Sequence, residues 1–369
     1  MIEEFGLDYD ATLIDQDQRL VEIHVPDGRS DAHQQVEHGL LSVLGAYRAL
    51  GRLYRGIIAP TIRQYVLLGD GSVQTDNRVY DASLGAGEVR DGRSGRRDDR
   101  WVFTEENPRR ELFVAAGLAA ASRVLQSYDK ELSRESLAAA RALFDAAIER
   151  SDDTPARVFA LSELLQSTGD RRYAVQLLAL QPEIVATIAD SGWALAKAMP
   201  LLDDRAFRRA LDEAVRDYQV SVAEQANETP YGVPYRPHIW GAGWGIQEFG
   251  VHQYFFNKAW PEQAPPEVYL NALSFVLGVH PGPNTMSFVS GVGAESALVA
   301  YGVNRADWSH IPGGVISGTA LIRPDFPELK TWPFFWQQTE YVIGGGGTNF
   351  MFLALAADRL ARPPRVAGP

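Results

Sequence analysis

The residue types with most chemical potential lie near the C-terminus. In "TWPFFWQQTEYVIGGGGTNF" (331–350) a single carboxylate, Glu340, follows Trp332, Phe334, Phe335 and Trp336 and precedes a run of glycines. A carboxyl among aromatic, poorly solvated neighbours has its charged form disfavoured. It can then stay protonated near neutral pH and donate to a leaving-group oxygen. Three further loops, "RPHIWGAGWG" (236–245), "VLGVHPGPNTMSFVSGVG" (276–293) and "AYGVNRADWSHIPGG" (300–314), carry His238, Trp240, Trp244, Tyr301, Arg305, Trp308 and His310. Sugar rings offer apolar C–H faces to aromatic rings, and their hydroxyls pair with Arg, His and Asn. The set therefore reads as a saccharide cleft. Taken singly, each Trp reads as core and Glu340 as a helix cap. Together, in one region of long loops, they do not.

Other chemistry is argued against. The chain has no G-x-S-x-G, H-E-x-x-H or Walker A pattern. "GAGWGI" (241–246) and "GVGAES" (291–296) only approach a dinucleotide fingerprint, and neither follows a predicted strand. "GGGGTNF" lacks the lysine of a phosphate loop. His33 and His38 stand five apart, off one helical face, and His24 and His252 read as surface or hydrogen-bonded structural residues. Asp8, Asp10, Asp15 and Asp17 lack the glycine and closing Glu of a calcium loop and read as a solvated run. No metal ligand set is assigned and no cofactor is expected, a structural calcium being left open. With no cysteine among 369 residues, disulfides, thiolate nucleophiles and Cys-based metal sites are excluded. A net charge of −12 argues against a nucleic-acid partner. No stretch offers a membrane span. "MIEEFGLDYD" has no basic region before an apolar run, so no signal peptide is read there.

The elements that must position these loops are helical. Residues 1–30 read as extended or irregular. "DAHQQVEHGLLSVLGAYRAL" (31–50) has apolar residues at three- and four-residue spacing, with Asp31 as its N-cap. Residues 51–108 read mostly as loop. Helices are predicted at 109–129, 132–150, 155–168, 171–198, 203–226, 242–258, 265–277 and 348–361, and 278–347 as one long functional loop region. Without strand–helix alternation a parallel sheet is not expected. Paired helices with long loops point to an all-α toroid of one domain, 1–369.

Several segments resemble glycoside hydrolase family 9, the inverting (α/α)6-barrel cellulases and related β-glucanases, in family order. "YVLLGDGSVQTDNRVY" (65–80) is similar to the family's "VGDG" loop, with Asn77 and Tyr80 where a His and a Trp commonly line the cleft. "ENPRRELFVAAGLAAASRVL" (106–125) resembles the helix that follows it. "LSFVLGVHPGPNTMSFVSGVG" (273–293) and "NRADWSHIPGG" (304–314) resemble the next two signatures. "WQQTEYVIGGGGTNFMFLALAA" (336–357) resembles the closing one, whose glutamate falls on Glu340. The resemblance implies an endo-acting hydrolase of β-1,4-glucans working with inversion. Glu340 would be its general acid, and Arg305 would bind the glycone. Asn304 stands where many members have His, and His310 and His238 join Arg305 at sugar hydroxyls. Trp240, Trp308 and Tyr80 would offer stacking platforms, and Tyr301 is a further substrate-binding position.

One departure is specific. The family's base belongs to an Asp-Ala-Gly-Asp motif, and the sequence contains none. "PDGRSDAHQQVEHGLLSVL" (26–44) resembles the helix that follows that motif in the family, so the motif is expected before Met1 and the toroid is expected to be incomplete at its N-terminal helices. A secretion signal would lie there too, since the resemblance implies a secreted or periplasmic enzyme. Two alternatives stay open: an oligosaccharide binder lacking its base, and an enzyme for xyloglucan, mixed-linkage glucan or a glucosamine polymer. Oligomeric state is not read from the sequence.

Overall fold

The structure is a computed structural model that describes residues 1–15, 17–58, 76, 78–99, 101–104, 106–228, 231–234, 243–279, 287–296, 300–301, 308–309, 311–316 and 345–362. Their contacts form two compact units: 1–33 together with 151–369, and 34–150.

In the smaller unit, α2 (Asp31–Leu50) enters from the other unit at its first turn. It is followed among the described residues by α3 (Pro108–Leu125) and α4 (Lys130–Ala147). α3 starts where the Asn107 side chain accepts the Arg110 N–H, with Pro108 in the first turn, where its missing N–H costs nothing. Asp129 caps α4 through the Glu131 and Leu132 N–H groups. Leu112, Ala115, Ala116 and Ala119 of α3 are fully buried, and Ser133 of α4 donates to the Ser122 carbonyl. Small residues at this seam let the two backbones approach. The region 51–108, read as loop, holds short strands. β3 (Gly56–Ile58) pairs antiparallel with β7 (Trp101–Phe103), and β6 (Arg93–Ser94) lies between β4 (Val79–Tyr80) and β5 (Val89–Arg90). Two- and three-residue strands leave no periodic signature in sequence, which is why they were not anticipated.

The larger unit opens with the short α1 (Ile2–Phe5) and a hairpin of β1 (Thr12–Asp15) and β2 (Leu20–Ile23). The acids read as a solvated run in part latch this region. Asp10 accepts the Asp27 and Gly28 N–H groups, Asp27 accepts those of Ile14 and Arg29, and Asp15 accepts that of Gln18. Asp31 is not the N-cap of α2 but its first residue, and its carboxylate reaches back to the Ala11 N–H.

The main helices of this unit are α5 (Thr154–Thr168), α6 (Arg171–Ala179), α7 (Gln181–Ala186), α8 (Ile188–Ala198), α9 (Arg205–Ala226), α10 (Gly243–Ala259), α11 (Glu267–Val276) and α12 (Gly345–Ala361). Asp153, Asp170 and Asp204 cap α5, α6 and α9. The expected single helix over 171–198 is three. Pro182 sits in the first turn of α7, where it cannot continue the donor ladder of α6, and Thr187 breaks the run again before α8.

α10 packs against α8, α11 and α12. Its Phe256 is fully buried, and Gly192 of α8 meets that ring so closely that an added Cβ would stand 2.5 Å from it. A Cβ on Gly250 of α10 would lie 2.7 Å from Ala272 Cβ of α11 and 3.0 Å from Leu353 of α12. These two glycines set the helix spacing. No helix among the described residues is long and apolar enough to cross a membrane.

Candidate functional site

Glu340, Arg305, Asn304, His310, His238, Trp240 and Asn77 lie outside the described residues. The structure describes what surrounds them in the chain. α12 (Gly345–Ala361) is the described element that follows Glu340 in the chain, and the helix-cap reading of that acid lies outside the described residues. Three of the glycines, 345–347, belong to the first turn of the helix rather than preceding it.

The C-terminal loops converge through backbone hydrogen bonds. The Phe288 N–H donates to the Val276 carbonyl at the end of α11, and Ile316 donates to Phe288, each at 2.8 Å. Ser290 donates to Gly314 at 2.9 Å and Gly313 returns to Ser290 at 2.8 Å. Ser287 donates to Glu295 at 2.8 Å. Phe288, Val289, Val315 and Ile316 are buried, as are Ser287 and Ser290. "SFVSGVG" and "IPGGVI", far apart in sequence, thus form one ladder anchored on α11. Between them β8 (Ala300–Tyr301) and β9 (Trp308–Ser309) pair antiparallel, with Tyr301 and Trp308 as register partners. Two predicted cleft positions are therefore brought opposite each other.

Tyr80 belongs to the other unit, on β4. Its N–H donates to Asp99 Oδ2 at 2.7 Å, and the Arg97 guanidinium stands 5.6 Å from its ring centre. The neighbouring Asp98 is buried, accepting the Asp76 N–H at 2.8 Å and the Arg96 side chain at 3.1 Å. A hydrogen bond from Ser94 is the main influence holding the Asp76 carboxyl below the usual carboxylate range, with the Arg78 N–H assisting. The half-exposed Tyr80 ring is thus carried on a carboxylate-latched turn, with one face near a cation.

His252 departs from its reading as a surface or hydrogen-bonded residue. Its ring lies flat on Trp193, centroids 4.6 Å apart and planes within 3°. Burial pushes its pKa down to about 4, so the imidazole is neutral at physiological pH. An isolated His on a helical pattern gave no sign of this, because the partner is 59 positions away on α8. Among the described residues no group of three or more His, Asp or Glu is arranged to hold a metal ion.

These features define a helical protein in which the described segments 287–296 and 311–316 join in one ladder at the end of α11. Its fold resembles that of the glycoside hydrolase family 9 endoglucanases, which meets the expected all-α toroid. The similarity in structure is to "Bacteroides ovatus GH9", at TM-score 0.62 and 17% identity over 92% of this chain and 66% of that one. A metagenome-derived family 9 endoglucanase matches at TM-score 0.59 and 19% identity over 90% of this chain and 62% of its own. AaCel9A, described in complex with a cellobiose-like isofagomine, matches at TM-score 0.55 and 16% identity over 72% of this chain and 58% of its own. The chain thus spans about two thirds or less of the length of the structures it matches. No protein-family model matches the sequence, and no curated protein matches it.

Proposed function

We propose that the chain is a glycoside hydrolase acting on β-1,4-glucans from within the chain and with inversion. The observation that carries this reading is the fold likeness over 92% of the chain to a family 9 structure, beside sequence motifs that resemble the family's in order and end on Glu340. Glu340 serves as general acid on the glycosidic oxygen. Arg305, His310, His238 and Asn304 hold sugar hydroxyls, with Asn77 at the cleft edge. Trp240, Trp308, Tyr301 and Tyr80 offer ring platforms. The Phe288–Ile316 ladder supports this assignment, since it gives two of the loops a fixed base on α11. An inverting enzyme needs a second carboxylate ~6.5–9.5 Å from the acid, with a water between. No Asp-Ala-Gly-Asp occurs in this sequence to supply it.

A second reading is a saccharide binder without turnover. Reducing-sugar release from soluble β-glucans, measured alongside calorimetry with cello-oligosaccharides, separates the two. Hydrolysis that falls about 100-fold or more in Glu340→Gln supports the enzyme. Binding without release supports the binder. Neither binding nor release on any β-glucan rejects both.

A further inference from the structure

Arg205, Arg208, Arg209 and Arg216 of α9 are all exposed. The last three stand 3, 4 and 11 positions after Arg205, so at 3.6 residues per turn the four share one side of the helix, within an arc of about 100°. None of them forms an ion pair among the described residues. Arg208 gives one Nη2–H to the Met199 carbonyl at 3.3 Å. The stability of α9 does not account for this stripe. Arg205 and Arg208 stand in its first turn, where the helix dipole disfavours a cation, and Arg205 and Arg209 repel each other at i, i+4. In a chain of net charge −12, arginines left unpaired at that cost point to a partner outside the helix.

The stripe borders a trough with a cavity at each end. The Trp260 indole N–H donates to Asp212 at 2.9 Å and bridges α9 to the segment that follows α10. Arg208 stands one turn before Asp212 and lines a cavity of about 580 Å³ with Lys197, Lys258, Met199, Pro200 and Ala259. Arg216 stands one turn after Asp212 and lines a cavity of about 550 Å³ with Val220, Ala223, Pro265 and Val268. Both volumes fall within the ~300–1,000 Å³ usual for ligand sites, and both walls are partly aliphatic. Of the acids in the first cavity, Glu4 is already held by Tyr254, Lys258 and Arg359, and Glu3 stands 3.8 Å from Lys197. In the second, exposed Glu262 and neighbouring Gln263 can accept N–H donors.

The spacing narrows the partner. Arg208 and Arg216 are eight residues apart, about 12 Å along the helix axis. An extended peptide rises about 3.3 Å per residue and turns every second side chain to one face, so carboxylates at i and i+4 span that distance on one face. Guanidinium forks bind carboxylates through two parallel hydrogen bonds. Aliphatic side chains two residues outside each carboxylate reach the two cavities, and main-chain N–H groups serve Glu262 and Gln263. A densely charged polyanion fits less well, because the net charge of −12 repels it.

We propose that the trough along α9 docks an extended, acidic polypeptide segment of the pattern aliphatic-x-acid-x-x-x-acid-x-aliphatic, with its carboxylates on Arg208 and Arg216. This assignment does not depend on the saccharide reading.

Calorimetry at low salt on the full chain tests it, with the end-capped peptide Val-Ser-Glu-Ser-Gly-Ser-Glu-Ser-Val as probe. One control replaces both Glu by Gln, a second moves the second Glu by one position, and a third ligand is tetragalacturonate. The probe should bind on the order of ten-fold tighter than either control peptide, a preference that shrinks as salt rises. Arg208→Gln with Arg216→Gln should abolish the preference at an unchanged thermal midpoint, since both side chains are exposed. Arg216→Gln alone, at a side chain with no bond to lose, should reduce it about three-fold. Equal affinity for the Gln peptide, or a preference that survives the double substitution, overturns the docking on these arginines. Equal affinity for the shifted peptide overturns the extended geometry. Binding of tetragalacturonate without the probe overturns the polypeptide in favour of an acidic saccharide. Absence of binding by the probe and by tetragalacturonate overturns the proposal and leaves the glycoside hydrolase reading untouched.

Discussion

The Trp193 indole on α8 and the His252 imidazole on α10 lie face to face, 4.6 Å apart and within 3° of parallel. Phe159 and Phe255 flank the indole at 5.0 and 6.4 Å. This aromatic group joins α5, α8 and α10 around a histidine that must be neutral to stay there.

A pH-dependent stability follows. The folded pKa of about 4 lies below the ordinary value of 6.5, so between these pH values the unfolded chain binds a proton that the folded chain does not. Stability from this group is complete above about pH 6.5 and falls as pH drops towards 4, by roughly 3 kcal/mol in all. Urea midpoints at pH 7 and about 4.5 should show the loss, and His252→Gln should remove this part of the slope. An identical slope in the variant would show that other groups carry it.

Glu4 on α1 is a hub for the two helices below it. It accepts from Tyr254 at 2.7 Å, Lys258 at 2.6 Å and Arg359 Nη1 at 2.9 Å. Burial opposes its ionisation, but the hydrogen bonds from Lys258 and Tyr254 and the charges of Lys258 and Arg359 outweigh that and hold its carboxyl below the usual range. Its stabilisation is therefore present above the ordinary carboxylate pKa and lost as pH falls through the lowered value. Glu4→Gln should cost about 1–3 kcal/mol at neutral pH, read as a lower thermal midpoint, with little further loss on acidification.

Close helix spacing makes Gly250 and Gly192 intolerant of a methyl group. Gly250→Ala drives a Cβ against Ala272 Cβ at 2.7 Å, and Gly192→Ala drives one against the Phe256 ring at 2.5 Å. Helix propensity favours Ala by up to about 1 kcal/mol, yet overpacking should win, giving a net loss of about 1–3 kcal/mol. Chemical denaturation decides the sign. A stabilised Gly250→Ala protein would mean that α10, α11 and α12 separate readily.

The turn that carries Tyr80 can be tested by binding. If the ring is a saccharide platform, Tyr80→Ala should weaken cello-oligosaccharide affinity about ten-fold. Arg97→Ala should have a smaller effect, since Arg97 stands 5.6 Å from the ring centre without filling the platform. Asp99→Ala should reduce affinity by releasing the Tyr80 backbone N–H, whose 2.7 Å bond fixes the residue. Unchanged calorimetric affinity in all three would remove Tyr80 from the cleft.

The helices were legible where apolar periodicity and caps agreed. "DRRYAVQLLAL" begins with its cap at Asp170, and α5, α9, α10 and α11 fall within a few residues of their predicted bounds. The breaks at Leu180 and Thr187 were missed because Pro182 fits the first turn of a new helix as readily as it interrupts an old one. The strands of 56–103 and 300–309 were missed because pairing over two or three residues is set by tertiary neighbours. Of the candidate site, the motif order pointed to the C-terminal loops, and the structure gives those loops a shared ladder.

The sequence by itself determined that the protein is helical, cysteine-free and acidic, with aromatic and polar residues concentrated in long loops around Glu340. Those are properties of local pattern and composition, which need no partner to be read. Tertiary structure alone decided that Trp193 covers His252, that two buried glutamines orient Tyr218, and that Arg208 and Lys258 share a cavity. Arg208 and Lys258 are 50 positions apart on α9 and α10. Contacts across such separations depend on how helices pack, and helix packing here turns on the absence of a side chain at Gly192 and Gly250.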